Sequence, residues 1–179
     1  MSLAYKALFL DRDGVINVDH GYVHKIQDFT FHDRLFELLR LFIKNRYKIF
    51  IVTNQSGIGR GYYSLDDFKR LTTWMLKAFE QENITIEEVK FCHHAPELHC
   101  NCRKPATGMI DDILKKYNID LEASYMIGDK QSDIDLAHNA QIGHTIAIGE
   151  RVIDNATHHF KSISECYAFF SSSSFSFRV

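Results

Sequence analysis

The chain has 179 residues, 45% hydrophobic and 25% charged, which suits one globular domain with a substantial core and would cramp two. Its net charge of −2, with lysine and arginine spread along its length, offers neither a basic surface for nucleic acid nor a polybasic patch for a membrane. No apolar stretch approaches the ~20 residues of a bilayer span, and residues 7–10 are too short a run to be a secretory signal, so a cytoplasmic protein is expected.

The first predicted element is a strand over Lys6–Leu10, apolar after Lys6 and so buried on both faces of a sheet. It ends in Asp11-Arg12-Asp13-Gly14, at the edge where open α/β sheets bind ligands. Carboxylates this close repel unless a cation holds them together, and a divalent ion with oxygen ligands answers that need; magnesium usually brings a phosphate with it. Standing alone, the pair would read as a solvated turn, and the glycine comes too early for a calcium loop. A helix follows over Asp33–Asn45, with Leu35, Leu38, Leu39 and Phe42 on one face.

A second strand, Lys48–Thr53, runs into Thr53-Asn54-Gln55-Ser56-Gly57, where hydroxyl, amide and exposed backbone N–H groups suit an oxyanion. The following Gly57-Ile58-Gly59-Arg60-Gly61 matches neither a dinucleotide fingerprint nor a lysine-bearing phosphate loop. The next helix spans Ser64 to about Glu82, capped by Ser64 and Asp67, with Leu65, Phe68, Leu71, Met75 and Phe79 as its apolar stripe. A third strand covers Val89–Cys92 and opens Cys92-His93-His94-Ala95-Pro96-Glu97-Leu98-His99-Cys100-Asn101-Cys102. Three thiolates and an imidazole in residues 92–102 suit a closed, structural zinc site of Cys92, Cys100, Cys102 and His94, with His93 and His99 competing as the fourth ligand. Its expected task is to pin the loop carrying Arg103 and Lys104, two cations placed to neutralise a transferring phosphoryl group.

A helix over Met109–Tyr117 and a strand over Tyr125–Ile127 lead to Gly128-Asp129, where Asp129 can complete a magnesium site with Asp11. Asp133 can hold a metal-bound water, or be a first-turn acid of a helix over Ser132–Ala140 with Ser132 as its N-cap. A last strand covers Thr145–Ile148. Residues 171–179, rich in serine and phenylalanine, are expected to fray or lie as an edge strand. The alternation predicts a single α/β domain over 1–179: a doubly wound, Rossmann-like parallel sheet with helices on both faces.

Asp11-x-Asp13, Thr53, Lys104 and Gly128-Asp129…Asp133, in this order, resemble the motifs of the haloacid dehalogenase superfamily of aspartate-based phosphotransferases. The resemblance covers the chain to about Gly149. It implies that Asp11 is the nucleophile, Asp13 the general acid and base, and Thr53 and Lys104 the stabilisers of phosphoryl oxygens. It also implies Mg²⁺ held by the Asp11 and Asp129 side chains and the Asp13 backbone carbonyl. The cysteine knot narrows the resemblance to two related families, the D-glycero-D-manno-heptose 1,7-bisphosphate phosphatases and the histidinol-phosphate phosphatases. Asn17 to His24 and the Gly108-Met109 pair favour the heptose family. That family implies substrate contacts at Asp19, His20, Gly21 and Tyr22, at Thr53, Asn54, Gln55 and Ser56, and at Arg103, Lys104 and Lys130.

The connections leave no room for a large cap domain, so small loops must close over a sugar phosphate of modest size, and a monomer is expected. A receiver domain that accepts phosphate on aspartate is the rival of another class, but its acceptor follows the third strand, where this chain has Cys92. A zinc-dependent interaction module without activity is a third reading, disfavoured because every catalytic position is filled.

Overall fold

Alternate side chains of the first apolar run face opposite ways, and both directions are covered in the computed structural model, which describes residues 4–177. The elements in chain order are β1 (Tyr5–Leu10), α1 (Leu35–Lys44), β2 (Tyr47–Asn54), a single turn α2 (Ser56–Gly59), α3 (Leu65–Gln81), β3 (Ile86–Cys92), α4 (Gly108–Leu114), β4 (Ile119–Gly128), α5 (Gln131–Asn139), β5 (His144–Ile148), β6 (His158–Phe160) and α6 (Ile163–Phe170). All six strands are parallel in one sheet of order β3-β2-β1-β4-β5-β6.

The two faces bury different layers. Leu8, Leu10, Ile49, Ile51 and Ile127 face α1, α3 and α6, through Leu35, Leu38, Leu39, Phe42, Leu71, Met75, Phe79 and Phe170. Ala7, Phe9, Phe50, Val52 and Met126 face α4 and α5, through Met109, Ile110, Ile113 and Leu136. Strands covered on both sides must be apolar at every position, and this makes β1 and β2 legible as continuous runs. The Ser64 cap of α3 is in place: Asp67 N donates to Ser64 Oγ at 3.0 Å, and Ser64 N donates to Asp67 Oδ2 at 3.0 Å.

Four expectations need correction. Leu65 opens α3 outside its apolar stripe and is exposed. Strand β4 begins at Ile119, well before Tyr125, because Ile119 and Asp120 already pair with Tyr5 and Lys6 across a register break. Ser132 is not an N-cap, since α5 starts at Gln131. The tail makes no strand: after α6 its rings turn inward, and Phe177 packs on Phe42 (ring centroids 5.0 Å apart) and Phe170 (5.7 Å). Arg178 and Val179 lie outside the described residues. Strand β6 and α6 went unforeseen, because three residues at a sheet edge carry no periodicity and the aromatic run Phe169-Phe170 marks no single face. No helix among the described residues is long and apolar enough to cross a membrane.

Removing a fully buried phenylalanine typically costs 3–5 kcal/mol, and Phe177 keeps 8% of its surface exposed, so Phe177→Ala is expected to cost about 2 kcal/mol. A urea midpoint unchanged from the parent would show that the tail does not support the core.

Candidate active site

Strand β1 sits where the order of the sheet reverses: the chain adds β2 and β3 on one side of it, then crosses to add β4 and beyond on the other. The carboxyl ends of the strands open a crevice at such a point. Asp11 leaves β1, Thr53 lies near the end of β2, Asp129 follows β4, and Lys104 arrives from the loop after β3. All four are buried.

The Lys104 ammonium lies 2.8 Å from Asp11 Oδ1 and 2.6 Å from Asp133 Oδ1, and donates to the Val52 carbonyl at 2.9 Å. Burial opposes its charge, but Asp11 and Asp133 overcome that and raise its pKa above the ordinary lysine value. Asn54 puts Lys104 there. Its Oδ1 accepts from Lys104 N at 3.0 Å and its Nδ2 donates to the Lys104 carbonyl at 3.4 Å, so its amide is committed to the backbone of that loop.

Oxygens of Asp11, Asp129 and Asp133 lie within 4.8 Å of one another. Burial raises the Asp11 pKa, and burial followed by the Asp11 charge raises Asp129 to about 7. Asp129 Oδ1 is buried without a hydrogen bond, while Oδ2 receives the exposed Arg151 guanidinium at 3.2 Å. Asp133 is differently engaged: Oδ2 accepts from the Asp129 and Lys130 N–H groups, both at 3.1 Å, and Oδ1 faces Lys104. It shapes the turn that presents Asp129. Gly14, at φ +86°, makes room, because a Cβ there would stand 2.5 Å from the Asp129 carboxyl. A pair of buried carboxylates with an oxygen to spare is a donor set for a hard divalent cation, and Asp11 and Asp129 fit magnesium.

Asp13 borders a cavity of about 320 Å³ with Asp19, Gly21, Tyr22, Asn54, Gln55, Ser56, Arg103 and Lys130, all expected from the sequence, and with Tyr63 and Ser132, which were not. Lys130 Nζ stands 3.5 Å from Asp19 Oδ2. Thr53 lies beneath the cavity and accepts at Oγ1 from Gln55 Nε2 at 2.9 Å. His20 is exposed and takes no part in the wall. A larger groove, about 460 Å³, runs along α3 by Ile26, Lys69 and Trp74, but it has no acid or metal ligand.

Arg12 and Arg151 were not among the expected site residues, and Asn17 was named only within the stretch that favours the heptose family. Arg12, 2% exposed, donates to Asp13 Oδ1 from Nη2 at 2.9 Å and to the Val23 carbonyl at 2.6 Å; Asn17 Nδ2 reaches the same Asp13 oxygen at 3.1 Å. A charged residue between two acids looks solvated in a sequence; nothing local marks it as buried.

In the loop after β3, Cys92 Sγ is 3.4 Å from Cys100 Sγ and 3.6 Å from His94 Nδ1, Cys102 Sγ is 3.2 Å from His94 Nδ1, and the Cys100 and Cys102 sulfurs are 3.4 Å apart. These spacings are near the edges of a tetrahedron around one ion with N and S ligands, so the donor set fits zinc. His93 packs on His94 at 4.1 Å between centroids with its ring tilted 36°, and His99 stays outside the group, which leaves His94 as the imidazole. Although desolvation raises the Cys100 thiol, hydrogen bonds from Cys92, Cys102 and two backbone N–H groups bring it down to about 6.

The HAD-hydrolase-like family model matches residues 101–157. The D-glycero-alpha-D-manno-heptose-1,7-bisphosphate 7-phosphatase of Campylobacter jejuni is 45% identical over 166 residues, 92% of this chain and 95% of that one. The D-glycero-beta-D-manno-heptose-1,7-bisphosphate 7-phosphatase of Helicobacter pylori is 46% identical over 144 residues, 80% of this chain and 83% of that one. Among solved structures, the D,D-heptose 1,7-bisphosphate phosphatase of B. bronchiseptica, complexed with magnesium and phosphate, shares the fold with a TM-score of 0.80 and 23% identity, covering 92% of this chain and 97% of that one.

The raised Asp129 pKa makes a pH prediction for the metal-free protein. The ordinary value is 3.8 and the folded value about 7, so the folded chain holds more protons at this group in between. Its contribution to stability is whole below the unfolded value and is lost as pH rises through the folded one. Adding Mg²⁺ should therefore raise the thermal midpoint by several degrees at pH 8 and much less at pH 5. Equal shifts at both would remove Asp129 from the metal site.

Proposed function

The chain belongs to the D-glycero-D-manno-heptose-1,7-bisphosphate 7-phosphatases, HAD-like hydrolases, and from that premise we propose how its own residues do the chemistry. It is a magnesium-dependent phosphoric monoester hydrolase that removes the C7 phosphate of a heptose bisphosphate. The observation that carries the reading is the buried group of Asp11, Asp129 and Lys104 at the switch point, with Asp13 beside it on the cavity wall.

In the proposed sequence an Asp11 oxygen attacks the C7 phosphorus as the bond to the C7 oxygen breaks, and Asp13 gives its proton to the departing alkoxide. A water then attacks the aspartyl phosphate, Asp13 takes one of its protons, and the bond between phosphorus and Asp11 breaks to release phosphate. Lys104 and Thr53 hold the equatorial oxygens, each such contact lowering the barrier by ~3–4 kcal/mol. The Asp11 and Asp129 side chains and the Asp13 carbonyl would hold magnesium, which when bound would supply positive charge between an anionic nucleophile and an anionic phosphate. Tyr22, Ser56, Arg103 and Lys130 at the cavity wall receive the rest of the substrate, with the Gly21 turn held by an Asp19 hydrogen bond at 2.9 Å.

Cys92, His94, Cys100 and Cys102 would hold zinc, which when bound would fix the loop that carries Arg103 and Lys104. A monomer acting in the cytoplasm completes the proposal: all four cysteines are unbridged, as a reducing compartment keeps them.

Asp11→Asn is expected to lower turnover at least ~10⁴-fold with folding intact. Steady-state turnover of both anomers of heptose 1,7-bisphosphate and of histidinol phosphate by one preparation tests the substrate, and faster release from histidinol phosphate would overturn the assignment. Cys100→Ser should abolish zinc in metal analysis and weaken inhibition by inorganic phosphate; a parent protein free of zinc would end the structural-metal reading.

A further inference from the structure

Tyr63 lies outside every motif read from the sequence, yet its ring is built into the floor of the site. The ring stacks face to face on His24, with centroids 5.0 Å apart and planes 3° from parallel, and passes so close to Gly57 that a Cβ there would meet Tyr63 Cε1 at 2.1 Å. Its hydroxyl donates to Gln55 Oε1 at 2.5 Å. Burial pushes the phenol up to about 12, so it remains a donor at neutral pH. The other end of the same amide, Gln55 Nε2, donates to Asp13 Oδ2 at 3.0 Å and to Thr53 Oγ1 at 2.9 Å.

We infer that Tyr63 is a positioning residue for the phosphatase reaction, acting through the Gln55 amide to hold Asp13 in its working orientation. This rests on the reading of Asp13 as the group that protonates the leaving alkoxide. Asp13 Oδ1 already accepts from Arg12 and Asn17. Oδ2 accepts from Gln55 alone, which leaves one of its two lone pairs for the transferred proton. Over a reaction cycle Asp13 alternates between carboxylate and acid. A carboxylate accepts only from the amide nitrogen, but an acid bonds the amide oxygen equally well, and a flipped Gln55 would then draw the proton away from the substrate. The Tyr63 hydroxyl prevents the flip, because in the flipped state its own buried proton would lose its acceptor, an uncompensated loss in low dielectric.

The test uses two substrates that differ in their need for a proton on the leaving group. Heptose 1,7-bisphosphate departs as an alkoxide and needs one; p-nitrophenyl phosphate departs as a stable phenolate and does not. Phenylalanine keeps the stack on His24 and the contact with Gly57, so Tyr63→Phe should fold with a thermal midpoint near the parent's. Its kcat/KM should fall about tenfold on heptose bisphosphate and stay within about twofold on p-nitrophenyl phosphate, a part of the full contribution of general acid catalysis. If Tyr63 works through Gln55, the double variant Tyr63→Phe/Gln55→Leu should be no slower than Gln55→Leu alone. Equal losses on both substrates, additive losses in the double variant, or parent activity in Tyr63→Phe would each overturn the inference. Asp11→Asn separates this from the underlying reading, since it should be inactive on both substrates whatever Tyr63 does.

Discussion

Three carboxylates crowd the end of one sheet, and a single buried ammonium stands among them. Lys104 touches two of the three, Asp11 and Asp133; the third, Asp129, is met by the exposed Arg151 and, at 3.9 Å, by Lys130, and keeps one oxygen without a hydrogen bond. Buried charge left unbalanced is costly, and the other buried cation among the described residues, Arg12, is committed to Asp13. A site that is anionic by construction has a definite use. It draws in a divalent ion, and the ion in turn makes the approach of a phosphate dianion favourable. The rest of the fold can be understood as support for this imbalance: Asn54 grips the Lys104 backbone, Asp133 ties down the Asp129 turn, and Gly14 leaves the room that the Asp129 carboxyl needs.

The sheet makes that support stiff. Asp11, Thr53 and Asp129 leave adjacent parallel strands whose side chains are packed on both faces, so their backbones have little freedom to separate. Lys104 comes from further away, on the loop after β3, and the Asn54 amide at the end of β2 binds its backbone at both N–H and carbonyl. The chain thus uses two ways to fix a side chain: dense packing under the acids and side-chain hydrogen bonds to the backbone beside the lysine.

Much of this could be read in the sequence because strand ends speak plainly. An apolar run stopping at Asp11-x-Asp13, or at Gly128-Asp129, declares both the strand and the acid at its tip, and the helices α1 and α3 show their buried stripes by spacing. Less visible were features that depend on contacts between distant segments. Arg12 is buried only because Asp13, Asn17 and the Val23 carbonyl converge on the same spot, and Tyr63 matters only because β2 places Gln55 beneath it. Asn54 and Gln55 were expected to face substrate; both border the cavity, and their amides are also engaged with protein groups. The Ser/Phe tail misled for another reason. Low complexity suggests fraying, but two phenylalanines two residues apart suffice to dock a coil on an aromatic cluster.

Floor and rim of the cavity are held by different forces, and that difference matters for a chain without a cap. The floor consists of buried charged pairs and amides bound to partners inside the protein, with Asp129 Oδ1 the oxygen left over for a cation. Over it, the loops after β1, β2 and β3 meet through exposed contacts: Tyr22 against Tyr62 at 4.7 Å between ring centroids, and Arg60 facing Glu97 at 3.7 Å. Exposed ion pairs and aromatic edges are weak and solvent-screened, so the outer edge of these loops, above the stack of His24 on buried Tyr63, opens at lower free energy than the sheet beneath. The rim can therefore part to admit a sugar phosphate while Asp11, Asp13 and Lys104 keep their geometry. In this molecule substrate access and catalytic alignment need not compete, because they depend on contacts of different strength.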